Sequence, residues 1–357
     1  MGGIELHLRD LARALRQLGV DATIITTTRG DAFVDDVPVH RVPALLAPSA
    51  GFAYMPAALA AVGRTIRENG FDVVHAHASV VSPVAYAGAL AGARATLPSL
   101  ITFHSMLHRS AFLLGASEAL FGWSDGRVVL SAVSSVVARQ AARWIPGASV
   151  GVLPNGIDVR FWRTTDAART APSHEIVFAT AMRLSRKKRP LELVRAFAES
   201  VRFLAGSPAL RLIVAGDGPA RADMIRLAGE LGVGDRVELV GHRSREELRA
   251  LYARVHAFVL PSERESFGIA ALEARAAGLP VVAMLESGVR DFIRQGVDGL
   301  LARDASELAR FMSRMALDAP FRQYVAHHNA STPPSYDWSD VAALHVEMYA
   351  LAARMKR

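Results

Sequence analysis

The 357-residue chain contains no cysteine. This excludes a disulfide framework, a thiolate metal site and a cysteine nucleophile, but it says nothing about the compartment. Lysine is scarce as well, since it occurs only at positions 187, 188 and 356. Charged residues make up 21% and hydrophobic residues 51% of the chain. Such a composition predicts a folded protein with large cores, and the length is sufficient for two domains.

The net charge is +7 and the sequence pI is about 10.2. The basic residues are spread over both halves of the chain, which fits anionic ligands or anionic lipid. They form no concentrated basic stripe and no nucleic-acid-binding motif, so we expect no nucleic-acid partner.

Two long stretches, 42–63 and 73–93, contain no charged residue. Each is about long enough to span a bilayer. The first contains three prolines and the second contains His75, His77 and Pro83, so buried core is the better interpretation. No signal peptide opens the chain, and we expect a cytoplasmic protein. The apolar segment "ALLAPSAGFAYM" is either a packed loop or a surface for peripheral contact with the inner face of a membrane.

Short β-branched runs alternate with helical patterns along the whole chain, which predicts an α/β protein with parallel sheets covered on both faces. The turn-rich segment "PNGIDVRFWRTTDAARTAPSHE" separates two such series and is the predicted interdomain linker. A domain of this kind normally begins with a buried strand, yet here Met1 directly precedes Gly2 and Gly3. We therefore expect the first domain to lack its first strand, unless another strand takes its place.

The stretch "ERESFGIAALEARAAGLPVV" places two carboxylates, Glu265 and Glu273, on either side of Gly268. A helix N-terminus at this point offers unpaired N–H groups to a phosphate or an oxygen-rich ligand. Two carboxylates beside it suit the hydroxyl pairs of a sugar or ribose. Helix capping combined with surface charge is the alternative interpretation.

The loop "AMRLSRKKRP" places Arg183 and Lys188 after a predicted strand, at the end that faces the ligand crevice of an open α/β sheet. Two cations there could hold a diphosphate and stabilise it as a leaving group. A solvated basic loop is the alternative. Gly216 and Gly218 in "VAGDGPA" end another strand, but a lone G-x-G is weak evidence, and the lack of G-x-G-x-x-G after a strand argues against a nicotinamide dehydrogenase.

Three histidines, His75, His77 and His104, lie near predicted strand ends. His104 in "LITFHSM" is placed to face the expected crevice, although a single histidine is more often structural. The chain has no H-E-x-x-H, D-x-D or comparable metal motif, so we expect a metal-independent site. No G-x-S-x-G elbow is present either.

Together these residues resemble the retaining glycosyltransferases of family 4, whose GT-B fold consists of two facing Rossmann-like domains. The E-x7-E motif is Glu265 to Glu273, and the basic-loop element is "MRLSRKKR". The other matching elements are "GGIE", "DVVHAH", "TFHS", "PNGID", "GDGP" and the closing "YDWSDVAALHVEMY".

The resemblance implies an N-terminal acceptor domain of residues 1–160 plus 338–357, a linker at 161–169 and a C-terminal donor domain at 170–337. It implies catalytic roles for His104 beside the anomeric centre and for Glu265 on the transferred sugar. It also implies that "VGHRS" lines the nucleobase pocket. The residues that it assigns to donor binding are Gly2, Gly3, Arg183, Lys188, Gly216, Gly218, Gly241, His242, Ser266, Phe267, Gly268, Ile269 and Glu273.

The implied reaction moves a sugar from a nucleotide-diphosphate sugar to a glycan or lipid-linked acceptor hydroxyl, with retention and without a cofactor. "TFHSMLHRSAFLLG" and "GGIELH" are most similar to the branch that glycosylates inositol phospholipids. The family's "GGxPE" turn is "SGVRD" at 287–291 here, which affects the expected phosphate loop. The alternatives are a non-hydrolysing sugar-nucleotide epimerase and a truncated, inactive nucleotide-sugar-binding subunit.

Overall fold

The computed structural model describes residues 3–42, 55–79, 82–107, 115, 118, 128–145, 147–164, 174–205 and 207–355. Its contacts divide the chain into two compact units. Unit 1 consists of Met1–Gly156 and Tyr336–Arg357, and unit 2 is Ile157–Ser335. The described part of the predicted linker, Phe161–Thr164, belongs to unit 2, and 165–169 lie outside the described residues.

Unit 2 is built on a parallel sheet of six strands in the order β10-β9-β8-β11-β12-β13. The strands are β8 Glu175–Ala181, β9 Ala209–Ala215, β10 Val237–Gly241, β11 Ala257–Leu260, β12 Val281–Met284 and β13 Gly299–Ala302. The α-helices of this unit are Val159–Trp162, Pro190–Phe203, Arg221–Glu230, Arg245–Tyr252, Ile269–Ala276, Ala305–Leu317 and Ala319–Ser331. Three short 3-10 helices are Arg186–Lys188, Gly234–Arg236 and Gly288–Asp291.

Three consecutive strands of this sheet are buried on both faces. All residues of β11, β12 and β13 are buried, as their unbroken apolar runs predict. Leu212 and Val214 of β9 pack with Leu193 and Phe197 of the helix Pro190–Phe203 in the main core of the unit. The predicted α/β architecture with a parallel sheet is confirmed here.

Unit 1 holds two sheets within the described residues. One has the order β1-β3-β2 and the other, entirely parallel, has the order β4-β5-β6-β7. The strands are β1 Ile24–Thr26, β2 Phe33–Val34, β3 Val37–Arg41, β4 Val74–Ala78, β5 Ser99–Phe103, β6 Val128–Ala132 and β7 Val150–Val152. The helices are Gly3–Gln17, Met55–Glu68, Pro83–Arg94, Ser135–Trp144 and Trp338–Met355. Among the described residues the first element is thus a helix, and β1 and β4 each lie at the edge of their own sheet.

The C-terminal helix Trp338–Met355 packs into unit 1. Its Ala342 contacts Leu11 and Leu15 of the first helix, and its Ala352 packs with Leu100 of β5. The turn in "PNGID" fits against it because a Cβ atom on Gly156 would lie 2.6 Å from a ring carbon of Trp338. Only glycine therefore allows this close approach of turn and helix.

The second uncharged stretch, 73–93, contains strand β4 and most of the helix Pro83–Arg94, as the buried-core interpretation predicts. Most of "ALLAPSAGFAYM" lies outside the described residues, so its proposed lipid contact stays a prediction. No helix within the described ranges combines the length and the apolar character needed to cross a bilayer.

Candidate active site

The sheet of unit 2 reverses its winding between β8 and β11, the first and fourth strands of the unit along the chain. In open parallel sheets a crevice forms at such a switch point, outside the carboxyl ends of the two strands. Strand β8 ends at Ala181 and leads into the loop of Arg183 and Lys188, while β11 ends at Leu260 and leads into the loop of Glu265. The topology therefore brings the two predicted donor-binding loops to one place.

Direct contacts join these two loops. Lys188 Nζ donates to Glu265 Oε2 at 2.5 Å, and the hydroxyl of Ser262 donates to the backbone carbonyl of Lys188 at 3.2 Å. Arg189 and Glu263 form a second ion pair across the loops. Glu265 is 8% exposed, whereas Arg183 is exposed and pairs with no acid among the described residues. An anionic ligand would thus meet two cations here, the unpaired Arg183 and Lys188, which the Glu265 carboxylate holds in place.

The loop Glu265–Gly268 leads into the helix Ile269–Ala276, whose N-cap is Gly268 with φ 94° and ψ 52°. A Cβ atom at Gly268 would also lie 2.6 Å from a methyl group of Val289. Backbone conformation and packing therefore explain this glycine without a ligand. The helix begins directly after Gly268, so Glu273 lies about one turn inside it.

Glu273 is 8% exposed and lies near the fully buried ring of Tyr252. Burial, reinforced by the charge of Glu273, raises the pKa of the Tyr252 hydroxyl well above its usual value. Tyr252 itself packs between Trp162 and Phe258, with ring centroids 5.7 Å away on each side. Apolar packing therefore fixes the neighbourhood of this carboxylate.

Close backbone packing explains why positions 216 and 218 are glycine, and the sequence alone does not reveal this reason. Their φ values are 133° and 153°, and an added Cβ atom would lie 1.9 Å and 2.5 Å from the carbonyl oxygens of Met182 and Leu184. The loop thus lies directly against the backbone that flanks Arg183, and Leu184 N donates to the Asp217 carbonyl at 2.9 Å. The two glycines therefore allow their loop to pack directly against the loop of Arg183 and support it.

The "VGHRS" segment, residues 240–244, begins with the last two residues of β10. Gly241 has φ 76°, and its carbonyl accepts from Gly216 N at 2.7 Å, which places this turn beside the glycine loop. Ser244 caps the next helix through a capping box with Glu247, and His242 is exposed. The segment is therefore positioned by its own helix cap, and the nucleobase role of His242 stays a prediction.

Gly288 is a residue of this region that the sequence analysis missed. A Cβ atom there would lie 2.1 Å from the carbonyl oxygen of Ser266, and Gly288 N donates to the Glu265 carbonyl at 2.8 Å. Phe267 is 1% exposed and packs on Phe292, with ring centroids 5.4 Å apart. The "SGVRD" turn thus retains the glycine that holds the Glu265 loop, although its other residues differ from the pattern of the family.

In unit 1, His104 follows the end of β5, as predicted, and is 7% exposed. Burial lowers its pKa from 6.5 to about 3, with a smaller effect from His345, so this imidazole is neutral at pH 7. Gly3 is the first residue of the helix Gly3–Gln17, and Gly2 lies outside the described residues. The donor contacts predicted for the Gly2-Gly3 turn stay predictions.

Two family profiles match the chain. "Glycosyltransferase Family 4" matches residues 1–161, and "Glycosyl transferases group 1" matches residues 163–329. The D-inositol 3-phosphate glycosyltransferase of Stackebrandtia nassauensis is 30% identical over 383 residues, covering 96% of this chain and 85% of that protein. The protein of the same name from Mycolicibacterium smegmatis is 31% identical, covering 84% and 75%.

Solved structures show the same fold. Anabaena HepE, solved in complex with UDP, superimposes with a TM-score of 0.79 at 22% identity, covering 98% of this chain and 96% of HepE. WaaG, described as a glycosyltransferase of lipopolysaccharide biosynthesis, superimposes with a TM-score of 0.71 at 17% identity, covering 99% and 96%. Fold and site loops therefore define a glycosyltransferase of the GT-B class. The chain belongs to glycosyltransferase family 4.

Proposed function

We propose that this glycosyltransferase takes its sugar from a nucleotide-diphosphate donor bound at the loops after β8 and β11. The observation that carries the proposal is the contact between Lys188 and Glu265, which brings a cation and a carboxylate together at the switch point of the sheet. A diphosphate sugar needs both, because its phosphates require positive charge and its hydroxyls require acceptors. The exposed Arg183 supplies a second cation at the same edge.

Each residue has a chemical role in this proposal. Lys188 and Arg183 neutralise the charge that develops on the departing diphosphate, and the first amides of the helix Ile269–Ala276 assist them. Glu265 positions Lys188 and accepts from a sugar hydroxyl. Glu273, which lies about one turn inside that helix, accepts from the ribose hydroxyls. No resident cofactor is needed for this chemistry, because the donor brings its own leaving group.

The resemblance to retaining enzymes implies the course of the transfer. The bond from the anomeric carbon to the diphosphate oxygen breaks while the bond to the acceptor oxygen forms on the same face of the sugar. The acceptor proton passes to the departing phosphate oxygen, so no separate base is required and the configuration is retained. The resemblance assigns His104 to the sugar, where a neutral imidazole would donate or accept a hydrogen bond without adding charge.

The names of the relatives suggest the substrates to test first. The curated relatives are D-inositol 3-phosphate glycosyltransferases, and HepE was solved with UDP and with UDP-glucose. We therefore propose a uridine diphosphate sugar as donor and the hydroxyl of a phosphorylated inositol as acceptor. This acceptor is more specific than the glycan or lipid-linked acceptor expected from the sequence, and it agrees with the positive net charge of +7.

A screen of slow donor hydrolysis tests the donor without knowledge of the acceptor. The purified chain is incubated with UDP-, GDP- and ADP-sugars. Inositol 3-phosphate, inositol and phosphatidylinositol vesicles are then each tested with a fresh sample of the donor that the chain hydrolyses. We expect hydrolysis of one donor class and faster turnover with an inositol phosphate, with product of the same anomeric configuration by NMR. Turnover with vesicles alone would support the lipid acceptor instead.

Matched variants separate the site from general charge effects. Lys188→Ala and Glu273→Ala are expected to reduce turnover or donor affinity at least tenfold, which corresponds to about 1.4 kcal/mol. Lys187→Ala is the control, because Lys187 is exposed and belongs to the same short helix. Unchanged kinetics in both site variants would contradict the proposal. UDP binding without hydrolysis or transfer would instead support the inactive binding subunit.

A further inference from the structure

Three histidines from separate elements of unit 1 come together in its interior. They are His7 on the helix Gly3–Gln17, His77 on β4 and His104 after β5. One ring nitrogen of each lies within 4.8 Å of the corresponding nitrogens of the other two, and among the described residues this is a group that could hold a metal ion. His7 is 4% exposed and His104 is 7% exposed, whereas His77 is half-buried, so two of the three rings are shielded from water.

The hydrogen bonds of this group are incomplete. His77 Nδ1 and His104 Nε2 share one hydrogen bond at 2.8 Å. His7 Nδ1 is buried and has no hydrogen-bond partner within the described part of the chain. Leaving such an atom unpaired in a protein interior costs about 1–3 kcal/mol. The region therefore retains an unused ligand atom on a buried side chain.

The neighbouring His75 has no unpaired ring nitrogen. It lies 4.0 Å from His77 between ring centroids, yet both of its nitrogens are engaged, one with the Tyr349 hydroxyl at 3.0 Å and one with the Thr102 hydroxyl at 2.7 Å. His345 Nδ1 pairs with the Val341 carbonyl at 2.7 Å, whereas its Nε2 is buried without a partner among the described residues. His75 therefore provides a buried histidine on the same strand that is not expected to bind a metal.

We propose that His7, His77 and His104 form a site for a single divalent transition-metal ion, with Zn²⁺ as the best-fitting ion. Zinc prefers imidazole nitrogen at about 2.0–2.1 Å and tetrahedral geometry, in which ligand nitrogens are about 3.3 Å apart. The present separations exceed this by at most about 1.5 Å, which small rotations of the rings can close. Three protein ligands leave the fourth position open to water or another ligand.

The site has a consequence that depends on the proposed function. His104 is assigned to the transferred sugar there, and a metal ion bound to its imidazole would remove it from that contact. Zinc is thus expected to inhibit transfer, since the reaction as proposed uses no metal. The site is consequently a point at which metal availability would control the enzyme.

Binding is measured on the full chain after treatment with a chelator and dialysis. Titration with Co²⁺, followed by its visible absorption, and calorimetry with Zn²⁺ are expected to show one site per chain. His77→Gln and His7→Gln should weaken binding at least tenfold, while His75→Gln, on the same strand as His77, should leave it within a factor of two. The exposed His40→Gln controls for adventitious surface binding. Circular dichroism verifies that each variant is folded.

The outcomes are distinct. No saturable binding, or equal weakening by His75→Gln and His77→Gln, would overturn the metal site and leave the transferase proposal untouched. Binding that depends on His7 and His77 but does not inhibit transfer would preserve the metal site and contradict the role of His104. Inhibition by zinc that His7→Gln relieves, with transfer otherwise retained, would support both.

Discussion

Substitution of Asp298 by asparagine should destabilise unit 2 through the helix that carries Glu273. Asp298 is 0% exposed and directly precedes β13. Its Oδ1 accepts from Arg275 Nη2 at 2.8 Å, and its Oδ2 accepts from Arg294 Nε at 2.7 Å. Arg275 is 6% exposed and belongs to the helix Ile269–Ala276, two residues after Glu273. Asp298→Asn would remove the negative charge that this buried guanidinium contacts at 2.8 Å.

The magnitude follows from the pKa of the carboxyl. Burial alone would raise it, but hydrogen bonds from Arg294 and the charge of Arg275 lower the pKa of Asp298 from 3.8 to about 2. This difference stabilises the folded state by about 2 kcal/mol above pH 4, and the stabilisation is lost as pH falls from about 4 to 2. Removal of one partner of a buried ion pair costs about 3–5 kcal/mol, so we expect Asp298→Asn to cost that amount at pH 7.

The assay is urea unfolding followed by circular dichroism at pH 7 and pH 3, together with hydrogen exchange of the peptide that contains Glu273. Asp298→Asn should lower the free energy of unfolding at pH 7, and between pH 7 and pH 3 this free energy should fall less than it does in the native chain. Hydrogen exchange in the helix Ile269–Ala276 should become faster. Arg294→Gln is the comparison, because this side chain is 60% exposed and its loss should cost about 1 kcal/mol or less. A change below 1 kcal/mol in Asp298→Asn, with an unaltered pH profile, would refute the reasoning.

Three further substitutions test the packing of the site and of the core. Gly288→Ala should lower both stability and turnover because its Cβ atom would overlap the Ser266 carbonyl, whereas Gly229→Ala, where nothing lies within 4 Å, should leave turnover unchanged in the same assays. Gly156→Ala should lower the melting temperature of unit 1 by displacing Trp338, and unchanged protection of the helix Trp338–Met355 in hydrogen exchange would contradict this. His256 Nδ1 accepts from Val177 N, and burial, with the charge of Arg322, lowers the pKa of His256 to about 4. The contribution of His256 to the free energy of unfolding is therefore present above pH 6.5 and is lost as pH falls toward 4, with about 2 kcal/mol lost at pH 5. His256→Gln should make the free energy of unfolding depend less on pH between pH 7 and 5. An unchanged slope would be evidence against this role.

Much of the fold follows from local patterns. The alternation of short apolar runs with amphipathic helices predicts the parallel sheets, because strands buried on both faces need continuous apolar sequence. Motif order also predicts that Lys188 and Glu265 come from loops at the same end of the sheet. Their contact follows from topology, since the first and fourth strands of unit 2 are neighbours.

Contacts between distant residues could not be predicted in this way. Gly288 supports the Glu265 loop, yet the two lie in different turns and only backbone proximity reveals why the glycine is needed. His7 and His77 are separated by 70 positions, and the sequence offers no spacing that predicts their approach. Gly216 and Gly218 suggested a ligand turn, while the structure shows close packing against the loop of Arg183.

The central claim is that the donor diphosphate is held at the loops after β8 and β11. Calorimetric titration of UDP and of UMP into the native chain, Lys188→Ala and Lys187→Ala tests it most directly, because the two nucleotides differ only in the second phosphate. A charge-assisted contact to that phosphate corresponds to about 1.5–3 kcal/mol, or roughly 10- to 100-fold in affinity. We predict that the native chain and Lys187→Ala prefer UDP by at least tenfold and that Lys188→Ala loses most of this preference. An equal preference for UDP in all three proteins would contradict the claim.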